Sequence, residues 1–183
     1  SRDHFHATVV NNKLYVVGGR LTGGDGGTFA PVISEVDVYD FTSSSWSTLP
    51  SSANLPTPRA ASATVNFDGK IVVIGGEGNG QAYVNTDQLD ISTNTWSSLS
   101  ELNHPRHGTQ GIVSGNGIWI TSGSPNQGGG NQNNMEVYGV DNPTGITVLP
   151  SILSTPSSVT LAQGGSEDLL LELSGGNQGV YIK

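Results

Sequence analysis

The chain has 183 residues, 34% of them hydrophobic and only 12% charged, with Gly 26, Pro 9 and Cys 0. No window carries apolar residues at helical spacing without Gly, Ser, Thr or Asn intruding, so the composition favours an all-β chain. The net charge of -8 works against a nucleic-acid partner, no apolar run is long enough to span a bilayer, and the absence of cysteine excludes disulfides, thiolate metal sites and cysteine nucleophiles.

The first line of the chain opens with "SRDHFHATVVNNKLYVVGGR". Its runs "HATVV" and "KLYVVGG" are β-branched and apolar, and the "NNK" between them supplies asparagine where a tight turn needs positive φ. "SEVDVYD" then alternates Val36, Val38 and Phe41 against polar neighbours, as a half-buried strand should. "SSSWSTL" predicts an outer strand whose Trp46 covers the neighbouring sheet. The second line, "PRAASATVNFDGKIVVIGGE" with "VNTDQLDISTNTWSSLS", repeats this order, with a turn at Phe67 to Lys70 and a tryptophan at Trp96. The third, "PRHGTQGIVSGNGIWITSGS" with "NNMEVYGVDNP", does so again with its turn at Gly115 to Gly117. Trp46, Trp96 and Trp119 all fall at strand positions and are expected mostly in the core. The connecting segments "LTGGDGGTF" and "SPNQGGGNQNN" read as flexible surface loops. Asp25 alone falls far short of a calcium ligand set.

These lines are copies of one unit. From arginine to second glycine is 17 residues each time (Arg2 to Gly19, Arg59 to Gly76, Arg106 to Gly123). Repeat spacings of 57 and 47 (Arg2 to Arg59, Arg59 to Arg106) differ chiefly in the loop after the glycines. The paired glycines, the third-strand tyrosines Tyr39 and Tyr138, the fourth-strand Trp46 and Trp96 and the Pro-Arg at Arg59 and Arg106 resemble kelch repeats. The resemblance runs from Ser1 to about Pro150. Leu89 departs from it in place of tyrosine, and Ser122 in place of the first glycine. Line three also lacks a tryptophan after Tyr138, which marks it as an atypical or terminal repeat.

The resemblance implies an all-β fold of kelch-type β-propeller blades, about three, in a partial ring, followed by a short β tail. Residues 1–149 form the propeller segment, with blades at 1–57, 58–104 and 105–149. Residues 150–183 are a linker and β-strand tail. The tail resembles the opening of an immunoglobulin-like module; a strand that pads the last blade is the equal alternative. Three blades leave an open arc with two apolar end faces, so the expected partners are the rest of the propeller or a second copy of the chain.

The recurring arginines are expected to clamp the backbone or carboxylates of a neighbouring blade. The residues after the glycine pairs share a face with the blade-linking loops. That face should hold Arg2, Asp3, His4, Arg20, Arg59, Glu77, Arg106 and His107, either as a binding surface or simply paired with one another. His4 and His6 at i, i+2 are expected on one side of a strand. No catalytic residue, cofactor or metal is assigned.

The expected function is a non-catalytic interaction module of a larger, secreted protein, binding a glycan or protein through its loop face. Abundant Ser, Thr, Asn and Gly with few Lys suggest an extracellular location. Two rival readings stand. One is a piece of a galactose oxidase-like copper radical oxidase, whose remaining ligands would lie elsewhere. The other is a half-propeller that dimerises to close a ring.

Overall fold

A computed structural model describes residues 2–23, 27–139 and, for the backbone alone, 146–149. The linker and tail expected at 150–183, and Asp25 with its neighbouring glycines, lie outside the described residues. In chain order come β1 (His6–Val10), β2 (Lys13–Val17), β3 (Val36–Asp40), β4 (Ser45–Thr48) and a single 3-10 turn (Ser51–Ala53). These are followed by β5 (Ala63–Phe67), β6 (Lys70–Ile74), the short β7 (Glu77–Gly78) and β8 (Gln81–Ala82), β9 (Thr86–Asp90) and β10 (Thr95–Ser98). The last group is β11 (Gly111–Ser114), β12 (Gly117–Thr121), β13 (Met135–Tyr138) and β14 (Ile146–Leu149).

Each repeat builds one antiparallel four-stranded sheet: β1-β2-β3-β4, β5-β6-β9-β10 and β11-β12-β13-β14. Strand β1 lies beside β5, and β5 beside β11, so the first strand of every sheet lines the inner side of an arc. These sheets are propeller blades. The hairpin turns form as their residues dictate, with Asn11 at φ 49 and Asn12 at φ 58 in the first and Asp68 and Gly69 both left-handed in the second. The third repeat has a fourth strand although it has no fourth-strand tryptophan. Its β14, "ITVL", pairs antiparallel with β13. The β7–β8 hairpin after the second glycine pair has no counterpart in the sequence reading.

The core lies between sheets. Tyr15, Val17, Val36, Val38 and Leu55 of blade one meet Ile71, Val73 and Leu89 of blade two across the first junction. Ala63, Val65, Val72 and Ile74 of blade two meet Ile118, Ile120 and Tyr138 across the second. Strand β6 is apolar without alternation because both of its faces are covered: Ile71 and Val73 point to blade one, Val72 and Ile74 to blade three. Each such side chain contributes about 1.5–3 kcal/mol by leaving water.

The tryptophans do not follow the core expectation. Trp96 is half-buried against blade one and donates its indole N–H to the Ala53 carbonyl at 2.8 Å. Trp119 is half-buried, and Trp46 is 59% exposed. Trp46 occupies the position of Trp96, but no described blade stands in front of it. Phe41 likewise leaves the row of Val36 and Val38 and joins Tyr39 and Trp46 in an open aromatic cluster, with Tyr39 at 5.4 Å and 5.2 Å from the two ring centroids.

Candidate functional site

The three arginines turn into their own blades. Arg59 donates through Nε to Gly75 O at 2.7 Å and through its terminal nitrogens to Val73 O and Thr57 O, and it pairs with Asp87 at 2.9 Å. Its side chain is 0% exposed. Burial alone would push the Arg59 pKa down, and the Asp87 carboxylate opposes that by holding the charge in place. Arg106 grips Ser122 O, Asn134 and Glu136 in the same way, and Arg2 grips Gly18 O, Glu35 O and Asp37. The expected clamp on a neighbouring blade is therefore corrected: a five-donor fork reaches the second-strand end and the third-strand acid of its own sheet. Arg2, Arg59 and Arg106 are not part of a charged outer face.

At the arginines the polar contact between blades is made by backbone instead. Gly19 N donates to Arg59 O at 3.0 Å, and Gly76 N to Arg106 O at 2.8 Å. A Cβ at Gly18 would lie 2.6 Å from Arg59 O, which is why the first glycine of the pair has no side chain. Deeper in the arc Ala61 N donates to His4 O and Gly108 N to Ala61 O. His4, Ala61 and Gly108 all have positive φ, which turns their carbonyls or N–H groups toward the adjacent blade. His4 therefore leaves the strand before His6 begins it, and the two imidazoles do not share a strand face.

The remaining predicted residues meet in one network. In every blade the residue after the arginine bridges the residue after the glycines: Asp3 with Arg20, Ala60 with Glu77, His107 with Ser124. Blade two thus presents an acid with no cation of its own. Arg20 of blade one reaches Glu77 at 2.8 Å, and His107 of blade three approaches it at 3.4 Å. All three side chains are buried. His107 Nε2 also lies 2.8 Å from Asn126 O, and two acceptors there require that nitrogen to carry hydrogen. His4 Nδ1 faces Asp3 at 2.5 Å, while its Nε2 lies 2.9 Å from an Arg20 nitrogen, a donor. That pairing fits the neutral imidazole protonated at Nδ1. Asp3 is held at about 2, first by the Thr22 hydroxyl and then by His4.

Described residues of the two long loops contact this network. Gly128 N donates to Glu77 Oε2 at 2.8 Å, and Thr22 Oγ1 donates to Asp3 at 2.6 Å. Phe29 lies 5.1 Å over the Arg20 guanidinium, and a Cβ at Gly128 would come within 2.8 Å of its ring. Thr22, Phe29, Asn126 and Gly128 were missed in the sequence, where they sit in Gly/Asn-rich stretches without spacing or repetition. Phe29 is 39% exposed and supplies an apolar part of this surface; Leu21, next to Arg20 in the chain, is 38% exposed.

Chemically the network is saturated: the ionised groups face one another. Among the described residues no group of three or more His, Cys, Asp or Glu is placed to hold a metal ion. No helix among them is long and apolar enough to cross a membrane. A second concavity, of about 490 Å³, runs along the inner strands and is lined by Phe5, His6, Thr8, Asn66, Gln110 and Val113 among others. His6 is pushed below its ordinary value by burial there.

The KLHDC2/KLHL20/DRC7 Kelch-repeats domain model matches residues 1–144, the span of the three arginine-glycine units. The chain belongs to the kelch-repeat family. Kelch relatives include Alpha-scruin of Limulus polyphemus, 29% identical over 133 residues, covering 68% of this chain and 13% of that protein. Kelch-like protein 41b of Danio rerio is 29% identical over 121 residues, 66% of this chain and 18% of its own length. Kelch-like protein terF of Aspergillus terreus is 29% identical over 126 residues, covering 67% and 26%. The structure of YjhT aligns with a TM-score of 0.70 at 19% identity, covering 84% of this chain and 53% of that one. This kelch segment therefore spans a quarter or less of most of these relatives, and about half of the aligned solved chain.

Proposed function

We propose that the chain is a kelch-propeller segment that binds a protein through the loop face built on Arg20, Leu21 and Phe29. The observation that carries this reading is Phe29 stacked on the buried Arg20, with Leu21 next in the chain and partly exposed, on loops anchored to Glu77. An aromatic and an arginine held rigid at a partly apolar surface have the make-up of an interface hot spot. Membership of the kelch family supports a protein-binding role, and the internal pairing of Asp3, His4, Arg20, Glu77 and His107 supports a scaffold rather than a reactive centre. A secreted location and a glycan ligand belong to the same proposal on composition alone, and the kelch relatives add no support to either.

The test compares wild type with Phe29→Ala and Leu21→Ser as bait in quantitative affinity enrichment, alongside a glycan array. A protein retained by wild type and lost by both variants is the expected result. Retention that ignores both substitutions overturns the loop-face assignment. Array binding that depends on Phe29 replaces the protein ligand by a glycan.

A further inference from the structure

The two ends of the arc are not equivalent, and the difference says what fits each. At both internal junctions the first glycine of the pair is left-handed, Gly18 and Gly75 at φ 61, and the next blade's arginine carbonyl sits where a Cβ would go. Ser122 holds that position in blade three at φ 57. Its backbone repeats the others: Ser122 N donates to Asn134 O as Gly18 N does to Glu35 O and Gly75 N to Asn85 O. The Ser122 Cβ therefore stands in the place reserved for the incoming carbonyl. A blade docked in the same register would meet it at about the 2.6 Å seen for Gly18, well inside carbon–oxygen contact. Thr121, exposed, also replaces the apolar Val17 and Ile74 of the two working junctions.

Blade one's front face has the opposite character. Phe41 and Trp46 stand exposed, with Tyr39 half-buried between them, where blade two has Leu89, Ile91 and Trp96 packed on blade one. Beside them a hollow of about 340 Å³ opens at Arg2, Leu21, Ile33, Glu35 and Asp37. In blade three the matching acid, Glu136, receives the N–H groups of Asn103 and His104 from the linker of the preceding blade. We infer that blade one's front face is a socket for a kelch blade ending its second strand in Gly–Gly, and that blade three, barred by Ser122, is not that blade. Two copies of the chain then do not close a ring, and the occupant is a Gly–Gly blade other than the three seen here. It presents a turn carbonyl to the Trp46 indole as Ala53 does to Trp96, and linker N–H groups to Asp37.

Sedimentation velocity over a concentration series tests this with wild type, Ser122→Gly/Thr121→Ile and Gly75→Ser. Ile112 of β11 is 59% exposed on the face opposite Gly111, which meets Val65 of blade two. Wild type is expected to show no species that both Trp46→Ser and Ile112→Ser dissolve, since such a species joins front to back. The double variant, with both obstacles removed, should form a discrete dimer at least roughly tenfold tighter than any wild-type association. Gly75→Ser moves the obstacle into a working junction and should lower the thermal midpoint by several degrees. A wild-type dimer abolished by both Trp46→Ser and Ile112→Ser overturns the inference. An unaltered midpoint in Gly75→Ser, or a double variant no more associated than wild type, overturns it equally.

Discussion

Blade one and blade two carry the same third and fourth strands, yet their front faces live in different surroundings. Leu89, Ile91 and Trp96 are packed on blade one, and the Trp96 indole has found a carbonyl. Tyr39, Phe41 and Trp46 occupy the same repeat positions, yet Phe41 and Trp46 are exposed and Tyr39 is only half-buried. The Arg59–Asp87 pair is sealed by the blade in front, whereas the Arg2–Asp37 pair borders an open hollow. The difference teaches that a repeat residue has no fixed energetic value: the same side chain is core or surface according to whether a neighbour covers it.

Substituting the paired arginines should separate the two blades most sharply. Arg59→Ala strands a buried carboxylate and should cost about 3–5 kcal/mol, against about 1 kcal/mol for Arg2→Ala at the partly exposed pair. Urea unfolding of both variants measures the gap; equal losses would show that blade one's front is covered in solution. The tryptophans give the next contrast. Trp96→Ala should cost about 2–4 kcal/mol, somewhat below a fully buried tryptophan, and Trp46→Ala less than about 0.5 kcal/mol. Both losses are readable in thermal or urea denaturation.

His107→Ala sharpens the comparison at the loop face. Its register places this residue on the candidate loop face, and there it is buried between Glu77 and Asn126 O. Its loss should cost about 1–2 kcal/mol and raise hydrogen exchange around Gly128, while the amides of β6 stay protected. The smallest effect is electrostatic. Asp3 ionises at about 2 in the folded chain against an ordinary 3.8, so its contribution is complete above pH 4 and disappears as pH falls through 2. The wild-type stability curve should therefore drop more steeply over that window than the curve of Asp3→Asn. In Thr22→Val the Asp3 titration followed by NMR should move upward.

Much of this architecture was legible in the residues because repetition exposes it. The "VVGG" and "VIGG" strand ends, the Asn11-Asn12 turn and the arginine spacing place three sheets by themselves. Which way the arginines turn was not legible. Spacing shows that Arg59 recurs, but only the folded sheet shows that its own Asp87 is nearer than any neighbour's carboxylate. The candidate site was half visible. Asp3, His4, Arg20, Glu77 and His107 are singled out because they vary at a repeated register, and they do assemble. Phe29, Thr22 and Gly128 carry no pattern, since their loops owe their positions to contacts across blades.

By itself the sequence determined the blade: alternation sets the strands, Asn and Gly set the turns, and a missing Cβ at Gly18 and Gly75 sets how close blades come. These are local consequences of sterics and side-chain period, and they need no neighbour to be true. Only the tertiary structure decided what each repeated residue is worth. Whether a tryptophan is buried, a glutamate is paired, or a serine blocks a junction depends on which group from another blade arrives beside it.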